Sequence, residues 1–339
     1  MKKLLLGIAA VCLAGFTFAQ DAPLWMRHSV ISPDGTTIAF TYKGDIYTVP
    51  VAGGRAMQIT TNPAYDTAPV WSPDSKRIAF ASDRMGSLDV YIVAKDGGEP
   101  RRLTTHSGSE TPLAFTDAGH VLFSAGIMPS AEAVVFPSNG QFNQVYRVSV
   151  EGGRPTMISS MPMECISINK EGAMLYQDKK GYEDYWRKHH VSPIARDIWM
   201  YTPGKEPQYR QLTTFGGEDR EPVWAPDGKT FYYLSEENGS FNIYRRTPGD
   251  AKAVQLTHYT KNPVRYLSAA TDGRLCYGFD GEIYTLLPGG EAQKVNISIV
   301  SDRNDKDIIR QIKSSGATEM AVSPDGKEVA CLLYTSDAA

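Results

Sequence analysis

The chain has 339 residues and a formal net charge of −3 at pH 7, so it is long enough for one large β domain or two smaller ones. Its 42% hydrophobic content supports packed cores. The small net charge argues against a nucleic-acid-binding surface or a polybasic membrane surface, and we expect no nucleic-acid partner.

The first residues are typical of a secretory signal peptide. Lys2 and Lys3 precede an apolar run over residues 4–18, and Ala19 supplies a small residue at the expected cleavage point. The run is shorter than the roughly 20 residues that a membrane-spanning helix needs. We predict a signal peptide over residues 1–19, a periplasmic or extracellular location, and no membrane attachment after cleavage.

The chain contains four cysteines, and Cys12 would leave with the signal peptide. The other three, Cys165, Cys276 and Cys331, do not form an even, closely spaced framework, so we predict no disulfide scaffold. Cys165 and Cys276 lie in apolar strand-like runs of different repeats. We expect both to be buried free thiols.

A short turn of the type Ser-Pro-Asp-Gly recurs seven times, and alternating apolar and polar residues follow it. The turns begin 40 to 56 residues apart, a period that indicates a solenoid, a propeller or an array. They occupy Ser32–Gly35, Ser72–Ser75, Thr116–Gly119, Asn169–Gly172, Ala225–Gly228, Thr271–Gly273 and Ser323–Gly326.

The second copy shows the repeating unit most clearly. Its β-type runs are Ala68–Trp71, Arg77–Ser82, Leu88–Val93 and Arg101–Thr104. Several copies end, like this one, on an apolar residue followed by Thr. Four short antiparallel strands per copy are typical of a propeller blade rather than of a β-helix coil. Aromatic residues recur at matched places and are predicted to form the core between blades: Trp71, Phe80, Tyr91, Trp224, Tyr232, Tyr244, Tyr277 and Tyr284.

The sequence therefore predicts an all-β fold, a six-bladed β-propeller of four-stranded antiparallel blades over residues 24–297. A strand near Trp25–Val30 is expected to be the innermost strand of the first blade, without strand exchange between the first and last blades. The charged segment 298–316 is predicted to be a linker, and residues 317–339 the truncated start of a second propeller. Residues 331–339 resemble translated adapter sequence and are expected to be foreign.

Two insertions interrupt the repeats, Ile127–Gln141 in the third copy and Gly181–Arg196 in the fourth. The block Trp186–Trp199, together with the Ser-Pro-Asp-Gly blades and the restart at Met320–Gly326, resembles the N-terminal region of secreted bacterial tricorn-type serine peptidases. The blades alone are also similar to TolB-type propellers, so the block in the fourth copy is the more specific sign.

The resemblance implies a parent serine endopeptidase in which a second propeller, a PDZ domain and a catalytic domain follow. It also implies peptide or protein substrates and a homo-oligomer formed through the full-length enzyme. The catalytic Ser, His and Glu of that family belong to the later domains. No residue of this chain receives their roles.

The sequence contains no Gly-x-Ser-x-Gly pentapeptide, zinc motif or phosphate-binding glycine loop. We therefore predict no catalytic, cofactor-binding or metal-binding residue and no cofactor. Adjacent His189 and His190 would point in opposite directions on an extended segment, as in a solvated loop. Turn capping is expected for six polar residues at repeated loop positions: Asp83, Arg84, Asp89, Glu236, Glu237 and Asn242.

Three functional hypotheses follow. The first is a non-catalytic propeller region that gates or conducts peptides to or from the catalytic domain of a tricorn-like protease. The second is a free-standing periplasmic propeller of the TolB type that binds proteins. The third is the propeller of a prolyl-oligopeptidase-like enzyme.

Overall fold

A computed structural model describes residues 23–126, 142–181, 191–300 and 316–333 of the chain. The chain divides into two units at residues 299 and 300, and each is described by itself. The signal peptide predicted over residues 1–19 lies outside the described residues. None of the described residues forms a helix long and apolar enough to cross a membrane.

The first unit is a ring of six four-stranded antiparallel sheets, which confirms the predicted six-bladed propeller. Blades 1 to 3 contain β1 (Arg27–Ile31), β2 (Thr37–Tyr42), β3 (Asp45–Pro50) and β5 (Met57–Gln58); β6 (Asp66–Trp71), β7 (Arg77–Ser82), β8 (Asp89–Ala94) and β9 (Arg101–Arg102); and β10 (Glu110–Asp117), β11 (His120–Ala125), β12 (Gln144–Ser149) and β13 (Thr156–Ser159).

Blades 4 to 6 repeat this order, from an innermost strand outward. Their strands are β14 (Met163–Ile168), β15 (Met174–Asp178), β16 (Ile198–Thr202) and β17 (Gln208–Gln211); β18 (Asp219–Trp224), β19 (Phe231–Ser235), β20 (Asn242–Arg246) and β21 (Val254–Gln255); and β22 (Arg265–Ala269), β23 (Leu275–Phe279), β24 (Glu282–Leu286) and β25 (Gln293–Lys294).

The Ser-Pro-Asp-Gly turns link the first two strands of a blade through one recurring set of hydrogen bonds. The Ser32 hydroxyl donates to Asp34 Oδ1 at 2.5 Å and accepts from the Thr37 amide at 3.0 Å. The Gly35 amide donates to the Ser32 carbonyl at 2.9 Å, and the φ of Gly35 is 72°. Only glycine adopts that left-handed backbone without steric cost, which explains its place in the repeat.

The recurring Thr links the outermost strand of a blade to the third strand by a hydrogen bond. The Thr104 hydroxyl accepts a hydrogen bond from the Val90 amide at 2.9 Å, and Thr257 accepts from Ile243 at the same distance. The side chain of Leu103, the apolar residue before Thr104, is buried. The motif therefore closes the edge of the blade.

The core lies between adjacent blades, as the matched aromatics predicted. One buried cluster joins Ala39 and Ile46 of blade 1 to Trp71, Ile78 and Phe80 of blade 2. Seven of the eight predicted core aromatics are buried and Tyr284 is partly buried. The prediction of an interblade core is confirmed.

The ring closes without strand exchange, because the four strands of each blade come from one continuous stretch of the chain. Two further strands, β4 (Gly54–Arg55) and β26 (Ile297–Ser298), pair in parallel between blades 1 and 6. The Met26 amide donates to the Gly281 carbonyl at 3.1 Å. The Thr271 hydroxyl donates to the Pro33 carbonyl at 2.7 Å. Hydrogen bonds on both ends of the ring thus hold the seam together.

The second unit is described as one antiparallel hairpin, β27 (Ala317–Val322) and β28 (Val329–Leu333). Its turn repeats the Ser hydroxyl to Asp hydrogen bond, from Ser323 to Asp325 at 2.6 Å. Such a hairpin is what the inner pair of another blade requires. Most of the predicted linker (residues 301–315) and the tail (334–339) lie outside the described residues, so both remain predictions.

Candidate functional site at the propeller axis

The innermost strands of the six blades, β1, β6, β10, β14, β18 and β22, surround a cavity of about 1210 Å³ at the ring axis. All six strands contribute lining residues. This volume exceeds the roughly 300–1,000 Å³ of typical small-molecule pockets. The axial channel therefore has room for a ligand larger than a metabolite.

Each innermost strand carries an irregularity at the same place, four residues before its turn begins. In blade 6 the hydrogen-bonded turn begins at Ala270, whose carbonyl accepts from the Gly273 amide, one residue before the predicted start at Thr271. In five blades the residue there has a positive φ, although none of the five is glycine: His28 (48°), Ala68 (52°), Cys165 (51°), Glu221 (50°) and Tyr266 (59°). The pairing register shifts at each of these positions, as in a β-bulge. The third blade has Pro112 there, whose ring forbids a positive φ, and its register still shifts after Pro112.

The bulges orient two sets of side chains toward the axis. We call the six residues at the bulge the bulge ring: His28, Ala68, Pro112, Cys165, Glu221 and Tyr266. The residues two positions later form the inner ring: Val30, Val70, Ala114, Ser167, Val223 and Ser268. All twelve line the cavity. Every member of the inner ring is uncharged and non-aromatic. Charged and aromatic lining residues lie on both sides of it, toward the loop face (Arg27, Glu164 and Tyr266) and toward the turn face (Trp71, Asp117, Lys170 and Trp224).

The bulge ring lies toward one end of the propeller. We call the end with the Ser-Pro-Asp-Gly turns the turn face, and the end where second strands connect to third strands the loop face. Innermost strands begin at the loop face, so the bulges lie nearer to it. In blade 1 the connection there is only Lys43–Gly44. The insertions of blades 3 and 4 fall between the second and third strands; the first (127–141) lies outside the described residues and the second (181–196) lies partly outside them.

A buried ion-pair network supports the loop-face mouth between blades 4 and 5. Arg196 contacts Glu164 at 3.3 Å and Glu218 at 3.4 Å, and Arg220 contacts Glu218 at 2.7 Å. Arg196, Glu218 and Arg220 are almost wholly buried. Because removing one partner would leave an uncompensated buried charge, such a network fixes the geometry of its members.

Gln177 connects this network to the bulge. Its Nε2 donates to Glu164 at 3.0 Å, and its Oε1 accepts from the Glu221 amide at 3.0 Å. The Glu221 carboxylate in turn accepts from the Leu267 amide of blade 6 at 2.8 Å. Three consecutive blades are thus joined by polar contacts at the channel wall.

Local charges and burial set the protonation of the channel-wall groups. Burial opposes ionisation of Glu164, but Arg196 and Lys179 hold its pKa below the ordinary value. Burial, reinforced by Arg27, lowers the pKa of His28 to about 4. Glu164 is therefore a carboxylate and His28 a neutral imidazole at pH 7.

Cys165 is half-buried at the channel wall rather than fully buried, whereas Cys276 is buried as predicted. The pKa of Cys165 is raised well above its ordinary value by burial and by nearby Glu221 and Glu164. Both are free thiols. The difference arises because Cys165 stands on the bulge.

Turn capping does not describe the polar loop residues that the sequence singled out. Asp89 is buried and pairs with Arg102 at 2.8 Å, and Arg84 pairs with Asp66 at 3.0 Å. The Asn242 Oδ1 accepts from the Thr257 hydroxyl and the Tyr259 amide. These residues link strands and the connections between blades. His189 and His190 lie outside the described residues.

Sequence reasoning missed the residues of the network and the bulge ring. Glu218 and Arg220 belong to no motif, Arg196 lies in the Trp186–Trp199 block only as one of its members, and their contacts join blades 4 and 5. The bulge ring did have a signal, since its members share one offset from the turn, but their side chains have nothing in common. Arg196 ends the fourth-copy insertion and was assigned no role.

Comparisons with known proteins agree with this architecture. The family model of the tricorn protease N-terminal beta propeller domain matches residues 23–292. Tricorn protease homolog 1 of Streptomyces coelicolor is 26% identical over 289 residues, 84% of this chain and 26% of that protein. The tricorn protease homolog of Saccharolobus solfataricus is 23% identical over 297 residues, 83% of this chain and 26% of that protein. This chain thus spans about a quarter of the length of these relatives.

Solved structures show the same fold. The crystal structure of the tricorn protease has a TM-score of 0.68 at 19% identity, covering 83% of this chain and 27% of that one. TolB from Acinetobacter baumannii has a TM-score of 0.59 at 15% identity, covering 77% and 63%. These identities support a shared fold alone. With the family model matching most of its length, the chain belongs to the family of tricorn protease N-terminal β-propeller domains.

Proposed function

We propose that this chain is the non-catalytic N-terminal propeller region of an exported tricorn-like serine protease. Its axial channel conducts or filters peptides that pass to or from a catalytic domain elsewhere in the parent enzyme. The observation that carries the proposal is the channel itself, which is lined by all six blades and contains an uncharged ring of Val, Ala and Ser residues. An extended peptide presents mixed side chains, and such a wall rejects none of them by charge.

A channel blocked at the inner ring tests the proposal. Val70 is half-buried at the channel wall, so Val70→Trp would place an indole in the path along the axis, whereas Val254→Trp places the same change on an exposed outer strand. We expect the unaltered chain to bind unstructured peptides without cleaving them. Val70→Trp should lose that binding and Val254→Trp should keep it.

Peptide binding is measured by calorimetric titration. Cleavage is measured separately in an assay on labelled casein. Circular dichroism melts show whether each variant is folded. Equal peptide binding by both variants would show that peptides do not bind in the axial channel. Peptide cleavage by the chain alone would contradict its non-catalytic role.

Export is part of the proposal and has its own test. The N-terminal segment is expected to direct secretion, and cleavage after Ala19 would leave Gln20 at the N-terminus. Expression of the full chain in a Gram-negative host, followed by fractionation and N-terminal mass spectrometry, measures both. Recovery of the uncleaved chain in the cytoplasm would contradict export.

The second candidate is a free-standing propeller that binds folded proteins, favoured by the TolB-like fold and its 63% coverage of that chain. It predicts binding through an outer face, which Val70→Trp would leave unchanged. Recovery of the natural downstream coding sequence separates the two, because only the protease proposal requires a hydrolase domain there.

A further inference from the structure

The loop-face mouth of the channel has opposite charges on opposite sides. Arg27 begins the innermost strand of blade 1 and lines the channel, and Glu164 holds the equivalent position in blade 4. In a six-membered ring blades 1 and 4 face each other across the axis. A guanidinium and a carboxylate therefore stand on opposing walls at the same level.

Each of these charges has neighbours that reinforce its sign. Arg265 of blade 6 begins its strand at the same level as Arg27, and both arginines act on Tyr266 between them. On the other side, four carboxylates (Glu164, Glu218, Glu221 and Glu236) adjoin three cations (Lys179, Arg196 and Arg220). Of these groups Arg27, Glu164 and Glu221 line the cavity, so its wall carries a cation on blade 1 and carboxylates on blades 4 and 5.

On the negative side, neighbouring side chains hold the Glu164 carboxylate in place. Glu164 is held by Arg196, Lys179 and Gln177, and its side chain is still 31% exposed at the channel wall. A carboxylate already held in place by partners on both of its oxygens loses little conformational entropy when a further cation binds to it. The same partners keep it ionised at neutral pH.

Between the two charged sides, blades 2 and 3 supply an apolar wall. Its residues are Ala68, Pro69, Pro112 and Leu113, all of which line the cavity. A ligand complementary to this mouth carries an ammonium group for the carboxylate side, a carboxylate for the arginine side and an apolar side chain for the apolar wall. A short peptide with both termini free has these three features.

We propose that the loop-face mouth binds short zwitterionic peptides, with Glu164 receiving the N-terminal ammonium, Arg27 the C-terminal carboxylate, and the wall of Ala68 and Leu113 an apolar side chain. The inference rests on the proposed peptide-conducting function and adds a terminus-reading site to it. Cleavage products carry both free termini, whereas a long polypeptide has them far apart. The mouth would therefore distinguish small products from uncleaved chains.

The test uses the full chain and alanine–leucine peptides of two to six residues in free, N-acetylated and C-amidated forms. Binding is read by calorimetry and by the fluorescence of Trp71 and Trp224, which line the cavity. A charge-assisted contact is worth about 1.5–3 kcal/mol, so blocking either terminus should weaken binding about 10- to 100-fold. Because the protein is unaltered, these comparisons do not depend on the folding of any variant.

Variants then locate the two contacts. Glu164→Gln should remove the preference for a free N-terminus and Arg27→Gln the preference for a free C-terminus. Matched controls are Glu206→Gln and Arg210→Gln, at exposed positions on the outer side of blade 4. The controls should retain both preferences.

The outcomes are distinguishable. Equal binding of free and blocked peptides, or a penalty at one terminus only, overturns this inference and leaves the conducting role intact. Failure of every peptide, long or short, to bind removes the conducting role as well. A preference that survives Glu164→Gln and Arg27→Gln places the terminus-reading groups elsewhere and overturns the assignment.

Discussion

Glu110 makes the stability of the propeller depend on pH. This residue begins β10 and is buried between blades 2 and 3, where Asp89, Arg102 and Thr104 face its carboxyl group. Burial raises its pKa from an ordinary 4.5 to about 7, and Asp89 adds to the effect. Asp219 has the equivalent position in blade 5, and burial raises its pKa to about 7 as well.

The raised pKa values determine whether stability increases or decreases as pH rises. Below pH 4 the carboxyl group is neutral in both states, so burying it carries no ionisation penalty. Between pH 4.5 and 7 the unfolded chain ionises Glu110 while the folded chain does not, so the folded state loses stability as pH rises. Each pKa unit corresponds to about 1.4 kcal/mol. The shift at Glu110 therefore amounts to about 3 kcal/mol of stability present at pH 4 and absent at pH 8.

The isosteric variant Glu110→Gln removes this titration and keeps a donor for Asp89. We expect its free energy of unfolding, from urea titrations at pH 5 and pH 8, to fall about 2.5 kcal/mol less over that interval than that of the unaltered chain, because the unfolded carboxyl group is already partly ionised at pH 5. Glu151→Gln, at an exposed glutamate paired with Arg101, should leave the pH dependence unchanged. An identical fall in Glu110→Gln and the unaltered chain would refute a buried proton at this site.

Three further predictions concern the ring. Gly53→Ala places a Cβ 2.6 Å from the Asn296 carbonyl oxygen at the seam, while Gly97→Ala, with a similar positive φ, places one in ordinary contact with the Ile59 carbonyl oxygen at 3.9 Å. Thermal melts should therefore show the larger loss for Gly53→Ala. Thr104→Val removes the acceptor that closes blade 2 and should cost about 1–3 kcal/mol in urea unfolding. Ala68→Gly relieves a left-handed residue and should not destabilise the chain, because the roughly 1–2 kcal/mol of backbone strain offsets the added flexibility of glycine; a loss above about 1 kcal/mol in the same assay would contradict this.

Much of the blade could be predicted because its signals are local. The predicted strand Arg77–Ser82 is β7 to the residue, and the turn before it is held by hydrogen bonds that span five residues at most. The second strand of each blade is buried almost throughout, because adjacent blades cover both of its faces. The number of blades follows from the number of complete repeats in the sequence.

The channel mouth could not be predicted in the same way, because its contacts join distant parts of the chain. Arg196 meets Glu164 across 32 residues, and Ile31 of blade 1 donates to Ser268 of blade 6 across 237. No spacing in the sequence distinguishes these residues from solvated charges. Their roles arise only when the ring closes and burial removes water from between them.

The bulge ring shows why one structural requirement can leave no residue signature. Five bulge positions hold His, Ala, Cys, Glu and Tyr in a backbone conformation that costs each of them energy. If local preference selected that conformation, glycine or asparagine would recur there. The shared feature is instead the distance to the turn, which fixes where the strand must bend to stay beside its neighbours around the axis. Packing of the ring therefore imposes the bend, and the side chain at each bulge is left to vary. That freedom allows one ring of equivalent backbone positions to carry an acid, an imidazole, a thiol and an apolar wall, and it is the physical origin of the chemical asymmetry at the channel mouth.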